Sequence, residues 1–167
     1  MERPMPTRSI VFYPHPALGS YCEPVTEFGA ELAQLAQDLL ETMRAAPGVG
    51  ITAAHIGVLQ RLFVLELKPG DVRTYVNPEI LETSDETMRH MEGSVSMPGF
   101  TEEVDRPSKV ALRFQDVSGQ WREEQAEGFH AICIQHEIDQ LNGIFWLKRL
   151  SKLKRDRLIR KWEKAQR

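Results

Sequence analysis

The stretch QHEIDQLNG, Gln135 to Gly143, sets a histidine beside a glutamate, with a glutamine four positions after the histidine. On a helix, His136 and Gln140 share one face a single turn apart. Two histidines at that spacing can grip one metal ion, with the adjacent glutamate reaching a metal-bound water as general base. Here the second position is Gln140, and a lone His136 beside Glu137 is equally the pattern of a core histidine bonded to backbone. Two other stretches carry residue types that could complete a site. GVGITAAH, Gly48 to His55, combines glycines that permit close backbone approach with small residues suited to lining a pocket. MEGSVSMPG, Met91 to Gly99, reads as a tight loop able to present backbone N–H groups to an anion or a carbonyl oxygen.

The elements that must position these residues show in the hydrophobic pattern. Leu32, Leu35, Leu39 and Met43 recur at steps of three and four, which predicts a helix ending at Pro47 and Gly48. LQRLFVLEL, RTYVNPEI and SKVALRFQDVSG are rich in β-branched and aromatic residues and predict strands. Ser118 and Gly119 supply a hairpin turn, and Trp121 leads the return strand. From Phe129 to Leu141 the period is helical again, with Phe129, Ile132, Cys133, His136 and Gln140 on one face and Gly143 at the left-handed cap. A basic helix over 148–167 follows, with Leu158, Ile159 and Trp162 as its apolar stripe. The sum is an α+β chain of one domain, 1–167, without the regular alternation of a doubly wound parallel sheet.

Composition narrows the class. At 167 residues, 41% hydrophobic and 27% charged, the chain has the size and balance of one globular domain. The start, MERPMPTRSIVFYPHP, carries prolines and charge where a secretory signal needs an apolar run, and no stretch is apolar for long enough to span a bilayer. Cys22 and Cys133 form no Cys-x-x-Cys, so two reduced thiols and a cytoplasmic location are expected. The net charge of −3 hides an asymmetry, since residues 148–167 hold ten Lys/Arg against Asp156 and Glu163. A basic tail on an acidic body is either a solvated helix face or a surface for an anionic partner.

Taken in order, GVGITAAH, EGSVS and QHEIDQLNG resemble the three signatures of the peptide deformylases. Those are Gly-x-Gly-Leu-Ala-Ala-x-Gln, Glu-Gly-Cys-Leu-Ser and Gln-His-Glu-x-Asp-His-Leu-x-Gly. The flanks LLETMRAAPGVG, EVDRPSKVALRF and NGIFWLKRLSKLKR agree as well, so the resemblance covers essentially the whole chain. It implies antiparallel sheets around a central helix, here carrying His-Glu-x-x-Gln, with a C-terminal helix. It implies a divalent metal, commonly iron, held by the cysteine and both histidines, whose bound hydroxide attacks the formyl group of an N-terminal methionine. Carried over by position, the ligand set is Ser94, His136 and Gln140. The proton-moving glutamate is Glu137, and the oxyanion donors are His55, in place of glutamine, and the N–H of Val95. Gly48, Gly50, Glu92 and Gly93 then fall among the substrate-binding residues, and Arg106 is placed to pair with Glu92 and hold the EGSVS loop.

Three chemically active positions depart from the family. A thiolate is replaced by the neutral hydroxyl of Ser94, and an imidazole by the amide of Gln140, which suits hard ions better than iron or zinc. The reading that follows is a peptide deformylase-like protein without conventional metal-dependent deformylation, one that binds a peptide or formyl-methionine N-terminus, such as that of a nascent chain. It needs no cofactor. The alternative is an active deformylase with a rewired site, in which His136 and His55 hold Fe2+ or Zn2+. A metal-free nucleophile, Ser94 activated by His136 or His55, is a third arrangement that the spacing does not favour. Cys133 is expected in the core and His90 at the surface. The resemblance also implies a ribosome contact through the basic C-terminal helix, with no role at a membrane or on DNA.

Overall fold

The structure is a computed structural model that describes residues 7–167. Residues 1–6, part of the segment read above as lacking a secretory signal, lie outside the described residues. Helix α1 (Ala30–Ala45) leads to seven strands: β1 (Gly50–Thr52), β2 (Leu62–Glu66), β3 (Val72–Thr83), β4 (Thr87–Glu92), β5 (Glu102–Pro107), β6 (Lys109–Gln115) and β7 (Trp121–Glu127). Helices α2 (Gly128–Leu141) and α3 (Lys152–Ala165) close the chain. The strands form an antiparallel five-stranded sheet in the order β1-β2-β3-β6-β7 and a separate antiparallel ribbon, β4-β5.

Alternation along β2 shows how one sheet serves two helices. Successive strand side chains point to opposite faces. Leu62 and Val64 therefore join the α1 cluster with Leu39, Met43 and Ile51, while Phe63 and Leu65 join the α2 cluster with Ile134, Ile138 and Leu141. Phe63, Tyr75 and Phe114 stack in series beneath α2, with adjacent ring centroids 4.6 Å apart. A third cluster gathers Met97 and Val104 with Phe145, Trp146, Leu158 and Trp162, joining the ribbon to the C-terminal segment.

Helix α2 is buried around most of its circumference. Sheet, ribbon and C-terminal segment enclose it, so its polar residues must find partners inside the protein. Its C-terminal end is fixed by Gly143, whose φ of 76° is left-handed and whose hydrogen would be replaced by a Cβ 2.8 Å from the Gly19 carbonyl oxygen. Only glycine meets both conditions.

Some expectations were too coarse. GVGITAAH, given no secondary structure above, contains strand β1 and leads into a 3-10 turn, Ala53–Ile56, and the β4-β5 ribbon was not anticipated as a paired element. The basic segment is not one helix over 148–167. A 3-10 turn, Trp146–Arg149, comes first, and Ser151 caps α3 by accepting from the Lys154 N–H. Cys22 and Cys133 are free and buried. Among the described residues no helix is long and apolar enough to cross a membrane.

Arg61, only 8% exposed, donates to the carbonyls of Cys22 and Leu141 and to Asn142 Oδ1, so one guanidinium ties the sheet to the end of α2. We expect Arg61→Met, which keeps the aliphatic stem but removes all three of these bonds and leaves the Cys22 carbonyl without its guanidinium, to lower unfolding free energy by about 1–3 kcal/mol in urea titrations.

Candidate active site

A cleft of about 490 Å³ opens where β1, the loop after β4 and α2 converge. Its walls include Gly48, Gly50, His55, Glu92, Gly93, Ser94, Val95, Cys133, His136 and Glu137, and exposed Val49, Met91 and Phe129 lie around it. The volume is in the range of small-ligand sites. Every candidate catalytic, metal-ligating and substrate-binding residue from the sequence lines this one cavity except Gln140.

The glycines are placed by space. A Cβ at Gly50 would stand 2.7 Å from Glu137 Oε2, and one at Gly48 would stand 2.7 Å from the Val95 side chain. Gly50 therefore lets α2 bring a carboxylate against strand β1, a contact that a larger residue would keep only by shifting the ends of Glu137 and Leu65.

His136 is oriented by an ion chain. Its Nδ1 lies 2.8 Å from Glu92 Oε1, and Glu92 accepts two further bonds from Arg106, at 2.6 and 3.0 Å. Arg106 also donates to Asp139 at 2.8 Å, and Asp139 accepts a two-pronged contact from Arg149. Burial works against a charged Glu92, but His136 and Arg106 outweigh it and hold its pKa down to about 2. Burial likewise works against charged His136, and Glu137 and Glu92 outweigh it, so its pKa is raised. An ionised Glu92 can only accept, so the proton sits on Nδ1 and Nε2 is the nitrogen left to a ligand. The anticipated Arg106–Glu92 pair is present. Glu92 itself, however, was expected among the substrate-binding residues, and with both oxygens committed it acts instead as a positioning residue.

His55 is fixed differently. Its Nδ1 is 2.9 Å from the Thr52 backbone N–H and 3.0 Å from the Thr52 hydroxyl. A backbone N–H only donates, so Nδ1 must be the acceptor and the ring proton belongs on Nε2. Burial, and next the proximity of His136, push the His55 pKa down to about 3, so the ring is neutral. Its Nε2 and Glu137 Oε1 are two of four buried polar side-chain atoms without a partner among the described residues. His55 is therefore a neutral N–H donor. The alternative that paired it with His136 as a metal ligand requires the other tautomer, which would set a second N–H against that of Thr52. Thr52 was missed in the sequence, although its spacing three residues before a polar side chain is that of a capping box, which the structure contains.

The remaining positions are occupied with structure. Ser94 Oγ accepts from the Ser96 N–H at 3.0 Å, and the Ser94 carbonyl accepts from Met97. Gln140 donates through Nε2 to the Leu18 carbonyl at 2.8 Å, tying α2 to a turn 122 residues away in sequence. Burial, reinforced by Glu137 and Glu92, pushes the Cys133 thiol far above its ordinary range, so it offers no thiolate. His90, only partly exposed, stacks with Phe129 at 4.9 Å beside the cleft.

The polypeptide deformylase family model matches residues 7–156. The chain belongs to that family. It is 69% identical over 161 residues to a peptide deformylase-like protein of Agrobacterium fabrum, covering 96% of this chain and 98% of that one. It is 46% identical to a peptide deformylase of Phenylobacterium zucineum, over 96% and 97% of the two chains. A crystal structure of a peptide deformylase from Legionella pneumophila superposes with a TM-score of 0.91 at 36% identity, covering 96% of each chain. The expected α+β deformylase fold is thereby confirmed.

Deformylases normally carry iron or zinc, and the donors here do not fit those ions. Of the three positions that carry the family's ligands, only His136 presents a strong ligand atom, since Ser94 offers a hydroxyl already engaged with backbone and Gln140 an amide turned to Leu18. Among the described residues, no three His, Cys, Asp or Glu side chains form a metal-binding group.

Glu137 carries a stability consequence. Burial lifts its carboxyl pKa from 4.5 to about 7, so the folded protein binds this proton more tightly than the unfolded chain. The stabilisation is complete below pH 4.5 and is lost as pH rises through about 7. Glu137→Gln should therefore raise unfolding free energy by about 1–3 kcal/mol at pH 8, with the gain shrinking toward pH 4 in a pH series of denaturation curves.

Proposed function

We propose that this protein is a peptide deformylase-like binder of acylated peptide N-termini, formyl-methionine foremost, that does not carry out the family's metal-dependent hydrolysis. The observation carrying the reading is a division among the site residues. The groups that would receive an acyl carbonyl remain free, with the His55 Nε2–H unpartnered and buried in the wall of the cleft that Val95 also lines. The groups that would hold a metal are spent on the chain's own backbone, Ser94 on Ser96 and Gln140 on Leu18.

In this reading the acyl oxygen accepts from His55 Nε2–H and from the Val95 N–H. Glu137 Oε1, unpartnered in the free protein, accepts the amide N–H of the ligand. Gly48, Gly50 and Gly93 leave room for its backbone. Strand β1 is an edge strand, paired only with β2, and its outer side can take an extended peptide as an added strand. Val49, Met91 and Phe129 offer apolar contact to its side chains. A nascent chain presents such an N-terminus.

Calorimetry with formyl-Met-Ala-Ser, its acetylated form and its free-amine form tests this reading, with formate and metal content assayed in parallel. The formylated peptide is expected to bind at least about tenfold more tightly than the free amine. His55→Ala should weaken it by about tenfold, the worth of one buried hydrogen bond, while His55→Gln retains most of the affinity. Absence of binding by all three peptides, or release of formate with metal at one per chain, would sink the proposal.

The ribosome is the proposed source of the anionic partner for α3, whose Arg157, Arg160, Lys161 and Lys164 are exposed and make no ion pair among the described residues. Deleting 148–167 would be a poor test, since Leu158 and Trp162 are core residues and Trp162 Nε1 donates to the Tyr13 carbonyl. Changing those four cations to Glu should instead abolish co-sedimentation with ribosomes at low salt while leaving thermal stability nearly unchanged.

A further inference from the structure

We infer that Arg149 is a positioning residue for His136, acting across two carboxylates and a second arginine from the surface end of the C-terminal segment. This inference stands apart from the peptide-binding reading, because it concerns the free protein. Arg149 lies in the 3-10 turn that precedes α3, and its side chain is 46% exposed. Inward from it every member of the chain is nearly closed to water, with Asp139 at 11%, Arg106 and Glu92 at 4%, and His136 at 11%. Arg149 is the most exposed link and stands at the opposite end of the chain from the cleft, which only His136 and Glu92 line.

The bonding pattern makes each link set the orientation of the next. Arg149 grips Asp139 with two prongs, Nε to Oδ2 at 2.8 Å and Nη2 to Oδ1 at 2.7 Å, which fixes the plane of that carboxylate. Asp139 Oδ2 also accepts from Arg106 Nη1 at 2.8 Å. Arg106 is planar, and its other edge meets Glu92 through Nε and Nη2. Two carboxylates on different edges of one rigid fork determine where that fork lies. Glu92 Oε1 then holds His136 Nδ1 at 2.8 Å. Without Arg149, Asp139 keeps a single side-chain bond and can rotate, Arg106 loses the fixed carboxylate on one edge, and Glu92 follows. His136 and Asp139 stand three residues apart on α2, so the chain leaves that helix and returns to it, and a shift at Asp139 need not disturb the helix backbone.

The His136 Nδ1–H···Glu92 proton, followed by NMR in the metal-free protein, reads this coupling without any ligand. In the wild type it should be a downfield signal exchanging slowly with water. Arg149→Ala should raise its exchange rate by about tenfold or more, with the β6-β7 amide signals unchanged. Arg149→Lys, which keeps the charge but can make only one prong, should fall between. Arg113→Ala, which removes a comparable exposed pair with Glu79 at 2.8 Å outside the chain, should leave the signal where it was. A signal unaltered in Arg149→Ala overturns the inference, as does an equal change in Arg113→Ala. If the alanine variant does not fold, Arg149→Lys decides alone: a partial increase in exchange supports the coupling, and none refutes it.

Discussion

Arg106 is a full positive charge in a place that water barely reaches, and much of the molecule is arranged around that fact. An unpaired guanidinium there would cost several kcal/mol, so Glu92 and Asp139 must both be present and must come from different elements. Glu92 ends β4, Arg106 lies on β5 and Asp139 on α2, so satisfying one charge docks the ribbon against the central helix. The same contact fixes the start of the loop that carries Ser94 and Val95, and it delivers an oriented His136 to the cleft. The pair is better understood as a constraint on geometry than as a source of net stability, because desolvation offsets much of the attraction.

The five-stranded sheet does the complementary task from the other side. Its alternating side chains feed two helices at once, and its edge strand β1 brings Gly50 and the turn holding His55 to within contact of α2. The cleft is consequently bounded by backbone on one wall and by helix side chains on the other. Burial in that narrow space is the largest cause both of the lowered pKa of His55 and of the raised pKa of Glu137.

Much of this was legible in the residues. The 3.6-residue period of α1 and α2, the Ser118-Gly119 hairpin and the glycine cap at Gly143 are local signals, and the structure has them all. The Arg106–Glu92 pair was anticipated as well, beside the family resemblance rather than from a local pattern. Other features depend on contacts that no local pattern encodes. Gln140 could be recognised as a replaced ligand, but its bond to Leu18 joins residues 122 apart. His55 could be recognised as a candidate ligand or donor, and only the position of the Thr52 N–H chooses between them. Strand β1 is three residues long, too short for a period of two to show, and β4 and β5, TMRHME and EEVDRP, hold few of the β-branched and aromatic residues that mark strands. The basic segment looked like a single helix because charge content is silent about where a turn interrupts it.

Ser94 and Gln140 each hold a piece of backbone in place, and this gives the chain's sequence space a direction. Introducing a thiol at position 94 disturbs the acceptor for Ser96, and introducing an imidazole at position 140 removes the amide that ties α2 to Leu18. Neither change alone completes a three-ligand set around His136. Each single step toward metal chemistry thus loses a present contact before any ion can compensate, and the gain arrives only with the second. The arrangement works as a ratchet: drifting further into a purely structural use of these positions is easy, while reaching the ligand set of the family's metalloenzymes requires two coordinated replacements.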